Sequence, residues 1–68
     1  MNLNEIRKKA DDYLASMRAG IYSPLEAENF LQGMIAVLLC SDVHGALLLA
    51  AQLHYKIADM KKAQVKAA

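Results

Sequence analysis

The chain has 68 residues, a formal net charge of +1 and a single cysteine. A chain of this length forms one domain at most, and one cysteine excludes an internal disulfide framework. Eight basic residues balanced by seven acidic ones exclude the concentrated positive field that DNA-binding domains usually carry.

The first predicted helix covers about residues 3–19. Asn2 followed three residues later by Glu5 predicts an N-terminal capping box with Asn in place of Ser or Thr. Gly20 is placed to end the helix as its left-handed C′ residue. Apolar residues at steps of three and four predict one buried face, which consists of Leu3, Ile6, Ala10, Tyr13, Leu14 and Met17.

The second predicted helix covers about residues 24–40. Ser23 can cap it, Pro24 suits its first position and Glu26 completes an S-x-x-E capping box. The short link before it makes the first two helices antiparallel neighbours. Residues 34–39 are apolar all round, which is typical of a helix buried on every side. The predicted apolar face consists of Ala27, Phe30, Leu31, Met34, Val37 and Leu38.

The third predicted helix covers about residues 42–63 and is followed by a basic tail at 64–68. Residues 46–51 are again apolar all round, so this helix is also expected to be central. Its apolar residues form two adjoining lines, one of Leu49, Leu53, Ile57 and Met60, and the other of Leu48, Ala51, Tyr55 and Ala58.

The polar insert CSDVHG at residues 40–45 decides whether the second and third helices are separate. Ser41 or Asp42 can cap a new helix, and Gly45 weakens a continuous one by about 1 kcal/mol relative to Ala. A continuous helix over 24–60 would be about 55 Å long at 1.5 Å per residue. That length suits only an intertwined dimer, so we favour a break at Ser41 and Asp42 and keep the continuous helix as the alternative.

These elements predict an all-α fold: a helical hairpin followed by a third helix, completed by oligomerisation. Hydrophobic residues make up 56% of the chain, above the usual ~45–50%, and so small a unit encloses few positions. Left-over apolar side chains form patches that mark partner surfaces. We therefore expect a homo-oligomer, most simply a dimer, and a further protein partner. The predicted interface consists of Phe30, Met34, Leu38, Leu48, Leu49, Leu53, Tyr55, Ile57 and Met60.

Cys40 and His44 are four residues apart, so on an unbroken helix they share a face. Such a pair suits a nucleophile and its base, or part of a zinc site. Zinc needs three or four ligands, and the one other histidine is His54; a nucleophile needs a pocket and an oxyanion donor. The sequence therefore favours a buried, inert Cys40, and it predicts no catalytic residue, cofactor or metal site.

Arg7, Lys8 and Lys9 form a basic cluster, but two aspartates follow directly at residues 11–12. Mixed charge of this kind favours a solvated face over a phosphate site. A small dimeric nucleic-acid-binding regulator that uses this cluster and Arg18 is the alternative function.

Residues 34–53 approach the length of a membrane span. Several polar groups interrupt them, and an aspartate alone would cost a few kcal/mol in a bilayer. The N-terminus has no apolar signal core, so no membrane association and a cytoplasmic location are expected. The interrupting residues are Ser41, Asp42, His44, Gly45 and Gln52.

A short amphipathic helix, an R-A-G turn at residues 18–20 and a longer apolar helical segment follow one another. This order resembles the small helical co-chaperones of type III secretion needle subunits. The resemblance covers about half the chain, includes no specific motif and implies a binding role at most. Together with the composition, it favours a non-enzymatic protein–protein interaction module: an adaptor, an inhibitor or a chaperone-like subunit. A metal or thiol enzyme using Cys40 and His44 is the weakest hypothesis.

Overall fold

The computed structural model describes residues 2–67, with side chains as far as residue 63. It contains the helices α1 (Leu3–Arg18), α2 (Pro24–Leu39) and α3 (Ala46–Ala67), and no strand among these residues. The contacts between α2 and α3 are the most extensive. The all-α class and the three packed helices are therefore confirmed, whereas completion by oligomerisation stays a prediction.

The N-termini of α1 and α2 are capped by side chains. Asn2 Oδ1 accepts the backbone N–H groups of Asn4 at 3.0 Å and Glu5 at 3.3 Å. Ser23 Oγ accepts the Glu26 N–H at 3.1 Å, and Glu26 Oε1 accepts the Ser23 N–H at 3.5 Å. The Ser23–Glu26 arrangement is a complete capping box, as predicted, and satisfies two N–H groups that have no partner within the helix. At α1 the structure has the Asn2 half of the predicted box, in which the Asn2 side chain accepts the two N–H groups.

Gly20 ends α1 in the left-handed conformation, with φ at +84°. Its N–H donates to the Met17 carbonyl at 3.0 Å, and the Ile21 N–H donates to the Ser16 carbonyl at 2.9 Å. These two bonds form a Schellman motif. The chain therefore leaves α1 as the sequence predicts and turns at once into the capped start of α2.

The connection from α2 to α3 contains a true break. Ser41 Oγ accepts the Val43 N–H at 3.1 Å, so this side chain closes a local turn instead of capping a helix. Gly45, with φ at +88°, lies before the first residue of α3, and its carbonyl accepts the Leu49 N–H at 3.1 Å. The helix consequently begins at Ala46, four residues after its predicted start.

One apolar core lies between the three helices. It includes the whole first line predicted for α3, since Leu49, Leu53, Ile57 and Met60 are all buried. Leu3, Ile6, Met17 and Met34 pack against it and are partly buried. The core consists of Ala10, Leu14, Ala27, Leu31, Ile35, Leu38, Ala46, Leu49, Ala50, Leu53, Ile57 and Met60.

The helix segments that are apolar all round are covered on one side only. Val37 is 55% exposed and Leu39 59% in α2, and Leu47 is 64% exposed and Leu48 65% in α3. Within a single chain, the expectation of burial on every side is therefore wrong. The Cα atoms span only 39 × 19 × 14 Å, and a helix with its side chains is about 10 Å across. So thin a unit cannot enclose a helix completely.

The predicted basic tail lies partly within this structure. The backbone of α3 continues to Ala67, so residues 64–67 extend the helix. The side chains of the predicted tail, and Ala68 entirely, lie outside the described residues.

Candidate protein-interaction surfaces

An apolar surface runs along the side of α3 that faces away from the core. Each member is three or four residues from at least one other, so together they form one stripe on the helix. Leu49, Leu53 and Ile57 fill the opposite side and are buried. Tyr55, near the middle of the surface, is 70% exposed. We call this surface the α3 face; it consists of Leu47, Leu48, Ala51, Tyr55 and Ala58, all exposed.

Leu39 is a further exposed leucine that precedes the N-terminal end of α3 in the chain. It lies in the last turn of α2 and is exposed, a short connection away from Leu47 in the first turn of α3. Polar residues appear at the other end, where Asp59 and Lys62 are both exposed. An apolar centre with a polar rim is the usual composition of a protein interface.

Of the nine predicted interface residues, five are buried inside the chain. A partner could reach these five only if the helices separated. Met34 is half-buried against the core, and Phe30 is only 41% exposed. Leu48 and Tyr55 remain as strongly exposed members, and the interface itself stays a prediction. The five buried residues are Leu38, Leu49, Leu53, Ile57 and Met60.

Phe30 belongs to an aromatic cluster that joins α1, the first link and α2. Its ring stacks on Tyr13, with centroids 4.3 Å apart and an interplanar angle of 7°. Tyr22 meets Phe30 edge-on at 5.5 Å and lies 5.6 Å from Tyr13. Such pairs contribute about 0.5–1.5 kcal/mol beyond their buried area. The cluster therefore braces the α1–α2 hairpin, and Tyr22 covers the end of that hairpin.

The structure does not place Cys40 and His44 on a common helical face. Cys40 is the C-cap of α2, and His44 lies in the connection before α3. Cys40 is exposed, so the prediction of a buried thiol is wrong; Leu38 takes the buried position in this turn. Within residues 2–63, no three His, Cys, Asp or Glu side chains are grouped closely enough to hold a metal ion.

The basic cluster of α1 is spread around the helix. Arg7, Lys8 and Lys9 are consecutive, so their side chains leave the axis about 100° apart. Arg7 Nη1 donates to Asn4 Oδ1 at 3.1 Å on its own edge of the helix. The three cations therefore do not form a single phosphate-binding face.

A groove between α1 and α3 is a feature that the sequence did not predict. It has a volume of about 490 Å³, and its apolar lining includes Leu14, Met17 and Met60. An ion pair between Asp11 and Lys56 connects the two helices there. Periodicity assigns a residue to one side of its own helix but does not say which neighbour meets it. The sequence therefore predicted the apolar residues that line the groove but not the groove itself.

No described helix combines the length and the hydropathy needed to cross a bilayer.

No protein-family model matches the chain, and no significant similarity to a curated protein or a solved structure was found.

Proposed function

We propose that the chain is a small non-enzymatic protein–protein interaction module, an adaptor, inhibitor or chaperone-like subunit, that acts through the α3 face. One observation carries the proposal: Leu47, Leu48 and Tyr55 are each about two-thirds exposed on the side of α3 opposite the core. Contiguous apolar surface of this kind is typical of a binding site. Tyrosine is also enriched among the residues that dominate interface energies.

A second copy of the chain is the first partner that we propose for the α3 face. A two-fold dimer uses the same patch on both copies, so every apolar side chain is buried twice. None of the five residues of the α3 face is charged, and Lys56, which lies between Tyr55 and Ala58 in the sequence, pairs with Asp11 of α1, so pairing the face with itself creates no like-charge contact at its centre. A further protein would then bind elsewhere on the dimer.

Leu48→Lys should disperse the dimer and leave the monomer folded. Leu48 is 65% exposed in the single chain, so lysine is tolerated there, whereas the dimer would lose two leucines. Full burial of a leucine contributes roughly 1.5–3 kcal/mol, and about two-thirds of each Leu48 is still available for burial, so the two lost leucines weaken the dimer by at least about thirtyfold. Light scattering after size exclusion, over a range of concentrations, measures the change from twice the 7.5 kDa chain mass to the chain mass.

Ile21→Lys is the matched control. Ile21 is 70% exposed but lies in the link between α1 and α2, so its replacement should leave the dimer intact. A wild-type chain of 7.5 kDa at every concentration would refute self-association through the α3 face. Equal dispersal by both variants would show that added charge, and not the α3 face, controls association.

A further inference from the structure

We infer that the groove between α1 and α3 binds an amphipathic helix of another protein, one with acidic residues along one edge and basic residues along the other. The groove is separate from the centre of the α3 face, so the inference does not depend on self-association. It assigns a second binding surface, and a partner of defined chemistry, to the chain.

The arrangement of the three helices leaves room for a fourth. α2 packs on both other helices, and α1 and α3 pack on each other least. The groove lies in this weakest contact, toward the C-terminal ends of α1 and α3. A helix seated there would rest on α1 and α3 and complete a four-helix arrangement, in which neighbouring helices cross at about 20°.

The size and lining of the groove suit the apolar edge of a helix. A volume of about 490 Å³ lies within the range of about 300–1,000 Å³ typical of ligand sites. From Asp11 to Arg18 the α1 wall is about 10 Å long at 1.5 Å per residue, which matches two turns of a docked helix. Met17 and Met60 line it, and methionine adapts its shape to an incoming side chain.

The charges of the groove specify the edges of the partner. Asp11 and Lys56 neutralise each other across one part of it. Farther along lie Arg18 on the α1 wall and Asp59 on the α3 wall, both exposed. The ion pairs among the side chains of residues 2–63 involve neither of them. A helix in the groove therefore meets a cation on one side and an anion on the other.

Three labelled helical peptides of about 18 residues, five turns, test this chemistry. All three share one leucine-rich edge; the flanking edges are glutamate and lysine in the first, glutamate on both sides in the second, and lysine on both sides in the third. Fluorescence anisotropy gives their affinities for the full chain. The mixed peptide should bind about three- to tenfold more tightly than the other two, the effect expected of two exposed ion pairs.

Two substitutions should reverse the preference. Asp59→Lys makes both walls basic, so the peptide with two glutamate edges should become the tightest ligand. Arg18→Glu makes both walls acidic and should favour the peptide with two lysine edges. Asp12→Lys and Lys8→Glu introduce the same charge changes at exposed positions of α1 outside the groove lining. These two controls should keep the wild-type order of affinities.

The position of the peptide is checked by NMR of labelled methionine methyl groups, where Met17 and Met60 should shift on binding. Each titration is repeated in the Leu48→Lys chain, so loss of self-association cannot be mistaken for loss of groove binding. Absence of saturable binding, an order of affinities that follows net charge equally in variants and controls, or unshifted Met17 and Met60 methyl groups would each overturn the inference.

Discussion

At the scale of single residues, Gly20 and Gly33 show that backbone conformation can decide whether a side chain is tolerated even where there is room for it. A Cβ atom added to Gly20 or to Gly33 would meet nothing within 4 Å. Gly20, however, has φ at +84°, whereas Gly33 lies in the interior of α2. Only glycine adopts the first conformation without strain, and glycine is the costlier choice at the second. The same substitution should therefore have opposite effects at the two positions.

Gly20→Ala should lower the free energy of unfolding by about 1–2 kcal/mol, the cost of a left-handed alanine. Gly33→Ala should raise it by about 0.5–1 kcal/mol because the helix gains a better former. Urea unfolding followed by circular dichroism, at one fixed chain concentration, measures both. Changes of the same sign would show that the end of α1 does not require the left-handed conformation.

At the scale of helices, the ends of α1 and α2 follow from short stretches of sequence. Asn2, Gly20 and the Ser23–Glu26 pair act within three or four residues of the ends they define, so their roles could be predicted without the fold. The start of α3 could not be predicted in this way. Ser41 was predicted as a possible cap, but its hydroxyl accepts the Val43 N–H in a turn, and α3 begins only at Ala46.

Ser23→Ala tests the capping box. Removing the hydroxyl leaves the Glu26 N–H without its acceptor at 3.1 Å, so the free energy of unfolding should fall by about 1 kcal/mol, within a range of 0.5–2. Ser16→Ala, the same change inside α1, should stay within about 0.5 kcal/mol of wild type. Thermal unfolding monitored by circular dichroism compares the two. An equal loss in both variants would contradict a specific capping role.

At the scale of the whole molecule, the Cα atoms span only 14 Å along the shortest axis, and so thin a unit has both fully buried and largely exposed leucines. Leu53 is fully buried between the helices, whereas Leu25 at the start of α2 is 66% exposed. The core has few such positions, so each one contributes a large fraction of the stability of a small domain. The identical deletion of methyl groups should accordingly have very different consequences at these two sites.

Leu53→Ala should destabilise the fold by about 2–5 kcal/mol, through lost apolar burial and a residual cavity. Leu25→Ala should change stability by less than about 0.5 kcal/mol because its side chain is already in water. Chemical unfolding of both variants at the same concentration gives the comparison. Similar losses would mean that Leu25 is covered in solution, and a loss below about 1 kcal/mol at Leu53 would contradict its place in the core.

The sequence alone determined the three helices, both ends of α1, the start of α2 and the core line of α3, because each depends on spacing along one chain segment. Tertiary packing decided which apolar residues face solvent. Helical period places Leu49 and Leu48 on adjacent lines, but only the packing of the three helices buries Leu49 and leaves Leu48 in solvent. The aromatic cluster around Phe30 and the groove between α1 and α3 likewise exist only once the helices meet. The candidate surfaces were therefore visible in the sequence as an excess of apolar residues, whereas their positions depended on the orientation of each helix toward its neighbours.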